Sequence, residues 1–410
     1  MKDRLTQANG NWVAGERFWD REDDIALFIE RINEGAHLLL VAQRRMGKTS
    51  LMREAARRLK DRYVCIFVDL QKACSAPDAV VELSIALQPH KTLWNKTKEV
   101  FSNILERVEK IGIGDLGVTL RAGLTAGNWA DKGDELFGIL AASEKRVVLF
   151  LDEVPIMVNR MLRGEDYAIT PERKAETDQF LSWLRKNSIQ HQGKVCIVLS
   201  GSVGFEPILH QAHLSTALNN FVPFELKAWD EKTAVECIQA LAREYGVELE
   251  NGAEMGMVRR LGCCIPHHVQ MFFMHARDTC KRRGRMAFSV DEVEKVYETE
   301  MLGIRGHVEL THYEERLKLV LGKEAFPLAL EMLTEAAVTG HLTREALAAL
   351  QNDYAVPDRN LGEVQKEILW VLEHDGYLKP EPKGYVFEST LLRDWWERRH
   401  RFFFTPVLKR

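Results

Sequence analysis

The chain has 410 residues, 46% of them hydrophobic and 28% charged, with 60 acidic against 56 basic side chains and a formal charge of −4. At roughly 150 residues per domain this implies two to three domains with real cores. It excludes a disordered chain and a wholesale polycation, so nucleic-acid binding would need a local basic patch.

The predicted elements run as follows. Asp20 to Gly35 carries Ile25, Phe28, Ile29 and Ile32 at helical spacing. His37 to Ala42 is an apolar run read as a buried strand, and Lys48 to Lys60 reads as a helix. Tyr63 to Asp69 is a second buried strand, and a long helical stretch follows from Pro77 to Lys110. Residues 111–127 hold five glycines and the alternating V-T-L-R-A, which predicts a hairpin insertion. A helix over Asp131–Ala142 leads to a third strand, Arg146–Leu151. Pro171–Gln190 is helical, Lys194–Ser200 is a fourth strand and Asn220–Leu226 a fifth. Short apolar strands alternating with helices imply a parallel sheet covered on both faces.

After Trp229 the patterns are helical to about His312. Glu324–Leu350 reads as two helices, Leu361–Asp375 as a third, Gly376–Glu388 as a small hairpin, and Leu391–Phe402 as a Trp- and Arg-rich closing helix. Helices followed by a two-stranded wing are the layout of a winged-helix domain. The expected division is 1–228 for the α/β core, 229–315 for a helical lid and 316–410 for the winged helix, which leaves no separate effector domain in these residues.

Seven scattered cysteines without a C-x-x-C argue against a disulfide framework or a zinc site and for a reducing compartment. The N-terminal residues lack the apolar core of a signal peptide, and no run of about 18 apolar residues occurs, so a cytoplasmic protein away from membranes is expected.

Ala42-Gln43-Arg44-Arg45-Met46-Gly47-Lys48-Thr49 matches G-x-x-x-x-G-K-[ST] with alanine at the first glycine, between a buried strand and a helix. In such a loop the backbone N–H groups wrap the phosphates of ATP, and Gly47 permits close approach. Lys48 reaches the β- and γ-phosphates, and Thr49 offers its hydroxyl to Mg²⁺. Gln43, Arg44, Arg45, Met46, Gly47, Lys48, Thr49 and Ser50 are thus candidate nucleotide contacts. Arg44 and Arg45 stay open between nucleotide contact and solvated loop charge. Arg146 to Glu153 is an apolar strand ending in two acids. In a P-loop enzyme Asp152 would hold Mg²⁺ through water and Glu153 would activate the attacking water. Asp69 is a competitor without a second acid beside it. Ser200 and Ser202 end the fourth strand, either beside the γ-phosphate or as ordinary strand-to-turn residues. Thirteen histidines are present, but His267, His268 and the rest have no ligand-spaced partners, so no metal beyond Mg²⁺ is expected.

Several segments together resemble STAND-type and archaeal-type AAA+ ATPases. These are F-W-D-R-E-D-D-I-A-L-F-I (18–29), L-L-L-V-A-Q-R-R-M-G-K-T-S-L-M (38–52), V-V-L-F-L-D-E-V (147–154), V-L-S-G-S (198–202), L-G-C-C-I-P-H-H-V-Q (261–270) and Y-V-F-E-S-T-L-L-R-D-W-W (385–396). Asp20, Ala42 and Cys264 depart from glycines of the family pattern. The resemblance implies a P-loop core, a lid and a winged helix whose closure is governed by ATP or ADP. It also implies that Pro266 lies against the adenine, and it carries a prior for signalling or defence.

The function expected is an ATP-hydrolysing switch, slow in turnover, that controls a protein partner or self-associates on ATP binding. Arg160, Arg163, Arg259 and Arg260 are all candidates for a trans-acting arginine. One rival is an initiator- or loader-type ATPase using the winged helix on DNA through Lys281, Arg282, Arg283, Arg285, Arg393, Arg398, Arg399 and Arg401. Against it, Leu361–Asp375 carries Glu363, Glu367, Glu373 and Asp375 but only Lys366, which would repel phosphate. In a protein-docking arm, Trp395 and Trp396 would pack in the core. The other rival is a catalytically silent, nucleotide-bound scaffold.

Overall fold

A computed structural model describes residues 12–15, 18–102, 116–354 and 360–410. They group into two compact units. One holds Glu22–Val41 and Leu51–Glu225; the other holds the described residues up to Arg21, Ala42–Ser50 and Leu226–Arg410.

The first unit is built on a five-stranded parallel sheet of β1 (His37–Val41), β2 (Tyr63–Asp69), β3 (Arg146–Asp152), β4 (Val195–Ser200) and β5 (Phe221–Glu225), in the order β2-β3-β4-β1-β5. Composition follows position. The three inner strands, β3, β4 and β1, are apolar almost throughout and buried along nearly their whole length, as strands covered on both faces must be. The outer strands β2 and β5 are only partly buried, and β5 carries Pro223 at its middle. Helix Glu22–Asn33 buries Ile25, Phe28 and Ile32. Arg58 joins Glu22 to the buried Glu54, both Arg–carboxylate pairs at 2.8 Å.

Two expectations for this unit need correction. The stretch from Pro77 onward is two helices, Ala76–Ala86 and Lys91–Val100. Pro89 divides them, because the residue before a proline is driven out of the helical region. The part of that stretch beyond residue 102 lies outside the described residues. Leu116–Gly123 is a helix rather than a hairpin strand. Leu120 and Leu124, four apart, are both buried, and Arg121 pairs with Asp78 at 3.1 Å and with Glu82 at 2.8 Å. This packing overrides the local alternation; residues 111–115 lie outside the described set.

The second unit is mostly helical. Helices Glu231–Tyr245, Ala253–Leu261 and Pro266–Arg283 pack together, joined by a two-stranded parallel pair, β6 (Glu248–Glu250) and β7 (Ala287–Ser289), that helical periodicity did not suggest. The helical span Ile304–Thr339 is broken at Gly322, whose φ of 72° and ψ of −170° are not helical, so a new helix starts just after it, where the first of the two helices over 324–350 was expected. Helices Arg344–Asp353 and Leu361–His374, the antiparallel hairpin β8 (Leu378–Glu381) and β9 (Gly384–Phe387), and helix Thr390–His400 follow. That element order is the expected two helices, hairpin and closing helix. Its core centres on Trp396, fully buried, with the Tyr377 ring edge-on at 6.5 Å and its indole N–H donating to Thr334 Oγ1 at 3.2 Å. All seven cysteines are free thiols. Among the described residues no helix is long and apolar enough to cross a membrane.

Candidate functional site

The glycine-lysine-threonine loop leaves β1 at Val41, and a helix begins at Lys48. Arg45 and Gly47 both take positive φ, +67° and +93°. A Cβ at Gly47 would meet nothing within 4 Å. The glycine is therefore required by backbone conformation, not by space. The Lys48 ammonium folds back over the loop, donating to the carbonyls of Ala42 at 2.5 Å and Gln43 at 2.9 Å. Lys48 is buried, so its charge is held close to the loop it crosses.

Sequence reasoning did not anticipate the loop's braces. Arg21 donates to the carbonyls of Met46 at 3.2 Å and Lys227 at 2.8 Å. The Ser50 hydroxyl accepts from Val13 N–H at 3.0 Å, so the oxygen expected to meet nucleotide ties down the N-terminal lead-in. Gln43 donates to Glu388, and Arg45 pairs with Glu309. The Arg44 guanidinium lies 6.0 Å from the centre of the Tyr313 ring. These three side chains turn toward the C-terminal helices. The one available hint was the Arg-Glu pair of the lead-in; the distant partners, Glu309 and Glu388, left none.

In the sheet unit, β3 ends at Asp152, whose Oδ1 accepts from Glu153 N–H at 3.1 Å. Glu153 sits in the left-handed region at φ 60°, ψ 26°, a conformation costly for a residue with a Cβ and typical of functional turns. Its carboxylate accepts from the Ser202 backbone N–H at 3.0 Å and hydroxyl at 2.7 Å. Gly201 lets β4's exit pass Pro155, because a Cβ there would stand 2.5 Å from Pro155 Cδ. Ser202 is therefore a partner of Glu153. The hydroxyl of the buried Ser200 has no hydrogen-bond partner among the described residues. Asp69 pairs in register with Asp152 across the sheet, but its Oδ1 caps the following turn by accepting from Gln71 N–H at 2.8 Å. The unforeseen Arg53 lays its guanidinium 3.7 Å over the Phe67 ring. Burial lowers its pKa, while the Asp152 charge opposes that shift.

β1 and β3 run parallel with β4 between them, so Val41 and Asp152 leave the same edge of the sheet. Ligands of open α/β sheets bind at that carboxyl edge. Thr49 and Asp152 carry hard oxygen donors of the type Mg²⁺ prefers. Pro266 is the buried first residue of helix Pro266–Arg283, where its missing N–H leaves no bond unmade.

Among the arginines weighed for action in trans, Arg160 donates to Gln71 O, and Arg163 to Tyr167 O at 3.1 Å and to Gln211. Arg260 bonds Glu294 and Asp394, both at 2.8 Å, and only Arg259 is exposed. The arginines of both basic clusters have acidic partners. Arg282, Arg283 and Arg285 pair with Glu300, Glu292 and Glu250, and Arg393, Arg398, Arg399 and Arg401 with Asp394, Glu298, Glu314 and Glu397.

No family model and no curated protein matches this chain. Solved structures do. The Walker-type ATPase PABY2304 of Pyrococcus abyssi is 17% identical, with a TM-score of 0.59, and the match covers 95% of this chain and 99% of that one. The ORC2 protein of Aeropyrum pernix, solved as ADPNP–ADP complexes, is 15% identical, with a TM-score of 0.56 and 95% of each chain covered. The chain shares the fold of these two proteins: a parallel α/β core followed by a helical C-terminal region.

Proposed function

We propose that this protein is an ATP-binding, slowly hydrolysing switch of the AAA+ or STAND type that controls a partner protein or its own assembly. The observation that carries this is a strand–loop–helix with Gly47 at positive φ and Lys48 folded over the loop; in the sheet, β1 and β3 end at one carboxyl edge, β3 in Asp152. Lys48 and the loop N–H groups would hold the phosphates. Thr49 and Asp152 would hold Mg²⁺, which when bound would neutralise charge on the phosphate oxygens. Glu153 would orient water once released from Ser202, and Ser200 would face the terminal phosphate. Pro266 would lie against the base. The lid would span 229–315 and the winged helix 316–410.

A protein partner is favoured over DNA because the arginines of both basic clusters are already ion-paired, and phosphate contacts would have to break those pairs. The deciding measurement is phosphate release by wild type and Glu153→Gln, with nucleotide binding followed in parallel. The switch requires wild-type release that Glu153→Gln abolishes while still binding ATP. Equal release by both would leave the silent scaffold. Salt-sensitive duplex binding lost on neutralising Arg398, Arg399 and Arg401 would instead favour a DNA-acting ATPase.

A further inference from the structure

Around the turned-away side chains of the loop lies an unusual group of buried donors. Arg44 Nη1 and Arg45 Nε are buried and make no hydrogen bond among the described residues. The Tyr313 hydroxyl and His268 Nδ1 are likewise unbonded, in residues only 5% and 2% exposed. Four orphaned polar atoms so close together are far from the norm, since buried donors are nearly always paired. One acid of the long helix reaches into the group. Glu309 pairs with Arg45 and lies 3.5 Å from His267 Nε2; His267 foremost, then Arg45, pull its carboxyl down to about 2 against the opposing effect of burial. The group is otherwise cationic. Burial and then the charges of Arg316 and Arg45 lower the Arg44 pKa, against a weaker opposing effect of Glu309. Burial and the nearby His267, Arg45 and Arg44 push His268 down to about 3, so it is a neutral imidazole able to donate from one nitrogen.

Crowded guanidinium groups, a phenol and an imidazole, with one internal carboxylate among them, make a receptor for a tetrahedral oxyanion. We propose that Arg44, Arg45, Tyr313 and His268 form a phosphoryl-oxyanion site beside the phosphate loop, which Glu309 fills as an internal stand-in and a phosphoryl group takes by displacing it. Two sources share this chemistry: the terminal phosphate of the bound nucleotide and free orthophosphate. Either would trade the carboxylate for a dianion with more acceptor oxygens, and would detach the long helix carrying Glu309 and Tyr313 from the loop arginine. The proposal deepens the nucleotide-switch reading and rests on it only where the nucleotide is the source.

The test is isothermal titration of the full chain with ATP, ADP and orthophosphate, in wild type, Tyr313→Phe, Arg44→Gln and Glu309→Gln, with circular dichroism to establish folding. Tyr313→Phe removes one oxygen and leaves the ring, so it stands in should Arg44→Gln fail to fold. If the terminal phosphate enters the site, Tyr313→Phe weakens ATP roughly tenfold or more and leaves ADP within about twofold. If free phosphate enters, orthophosphate binding falls and the ATP-to-ADP ratio holds. Glu309→Gln tightens whichever anion binds. Unchanged affinities in both Tyr313→Phe and Arg44→Gln, or an anion weakened by Glu309→Gln, overturn the proposal. Wild type that binds orthophosphate through Tyr313 but neither nucleotide would sink the switch and keep the site. Wild type that binds none of the three would sink both.

Discussion

Replacing Arg260 with alanine tests whether this residue works within the chain or on a neighbour. Its guanidinium lies 3.6 Å over the Tyr297 ring and bonds Asp394 of the closing helix at 2.8 Å, with the Arg260 side chain 24% and Asp394 13% exposed. Asp394 keeps Tyr297 OH at 3.0 Å and Arg393 at 2.7 Å, so the substitution weakens a partly buried carboxylate's shell without emptying it. Losing one charge-assisted bond there costs about 2 kcal/mol. The ring contact adds about 0.5–1 kcal/mol. The pairs to the more exposed Glu294 and Glu298 add little in water. The expected loss is therefore about 3 kcal/mol. Chemical denaturation followed by tryptophan fluorescence reports it directly, because Trp395 and Trp396 lie on the same helix as Asp394. Arg260→Lys should recover less than half, since an ammonium neither forks nor stacks. A loss under about 0.5 kcal/mol, accompanied by slower phosphate release, would refute this account and return Arg260 to the trans-acting candidates.

Further outcomes are expected. Ser202→Ala removes the 2.7 Å hydroxyl bond to Glu153 but leaves the backbone N–H, so single-turnover phosphate release should rise by up to about tenfold. A fall would mean that Ser202 assists the chemistry. Gly376→Ala should destabilise more than Gly47→Ala in thermal unfolding. Both sit at positive φ, but a Cβ at Gly376 would stand 1.9 Å from Gln43 Cδ, whereas Gly47 has open space; equal melting shifts would contradict this. Glu309, whose folded pKa is depressed to about 2, contributes stability present above pH ~4.5 and lost as pH falls toward 2. Allowing for its side chain being 32% exposed, about 2 kcal/mol of acid destabilisation between pH 5 and 2.5 should be missing from Glu309→Gln, and parallel pH curves for the two proteins would contradict it.

The sheet was legible because its inner strands must be apolar on both faces. Arg146–Asp152 and Val195–Ser200 stand out in any composition profile, and the glycine-lysine-threonine segment stands out by its spacing. Helix Leu116–Gly123 was misread because alternation over five residues carries no knowledge of what packs beside it. The orientation of the loop arginines was illegible for a different reason. Glu309 and Glu388 lie 264 and 345 residues from Arg45 and Gln43, and nothing local marks an acid that a remote loop will use. Ser202 was left open between the γ-phosphate and an ordinary turn, and its bond to Glu153 sits beside Gly201, where a Cβ would stand 2.5 Å from Pro155 Cδ, a close approach that no pattern encodes.

The outermost strand β5 has one further consequence. Five residues long, with a proline at its centre and Glu225 at its end, it is a poor template for another chain's backbone. Recruitment of a partner by strand addition is blocked along this margin. The margin is thereby guarded against the edge-to-edge stacking that leads to fibrils, and of the sheet's two outer strands only β2 lacks such a proline.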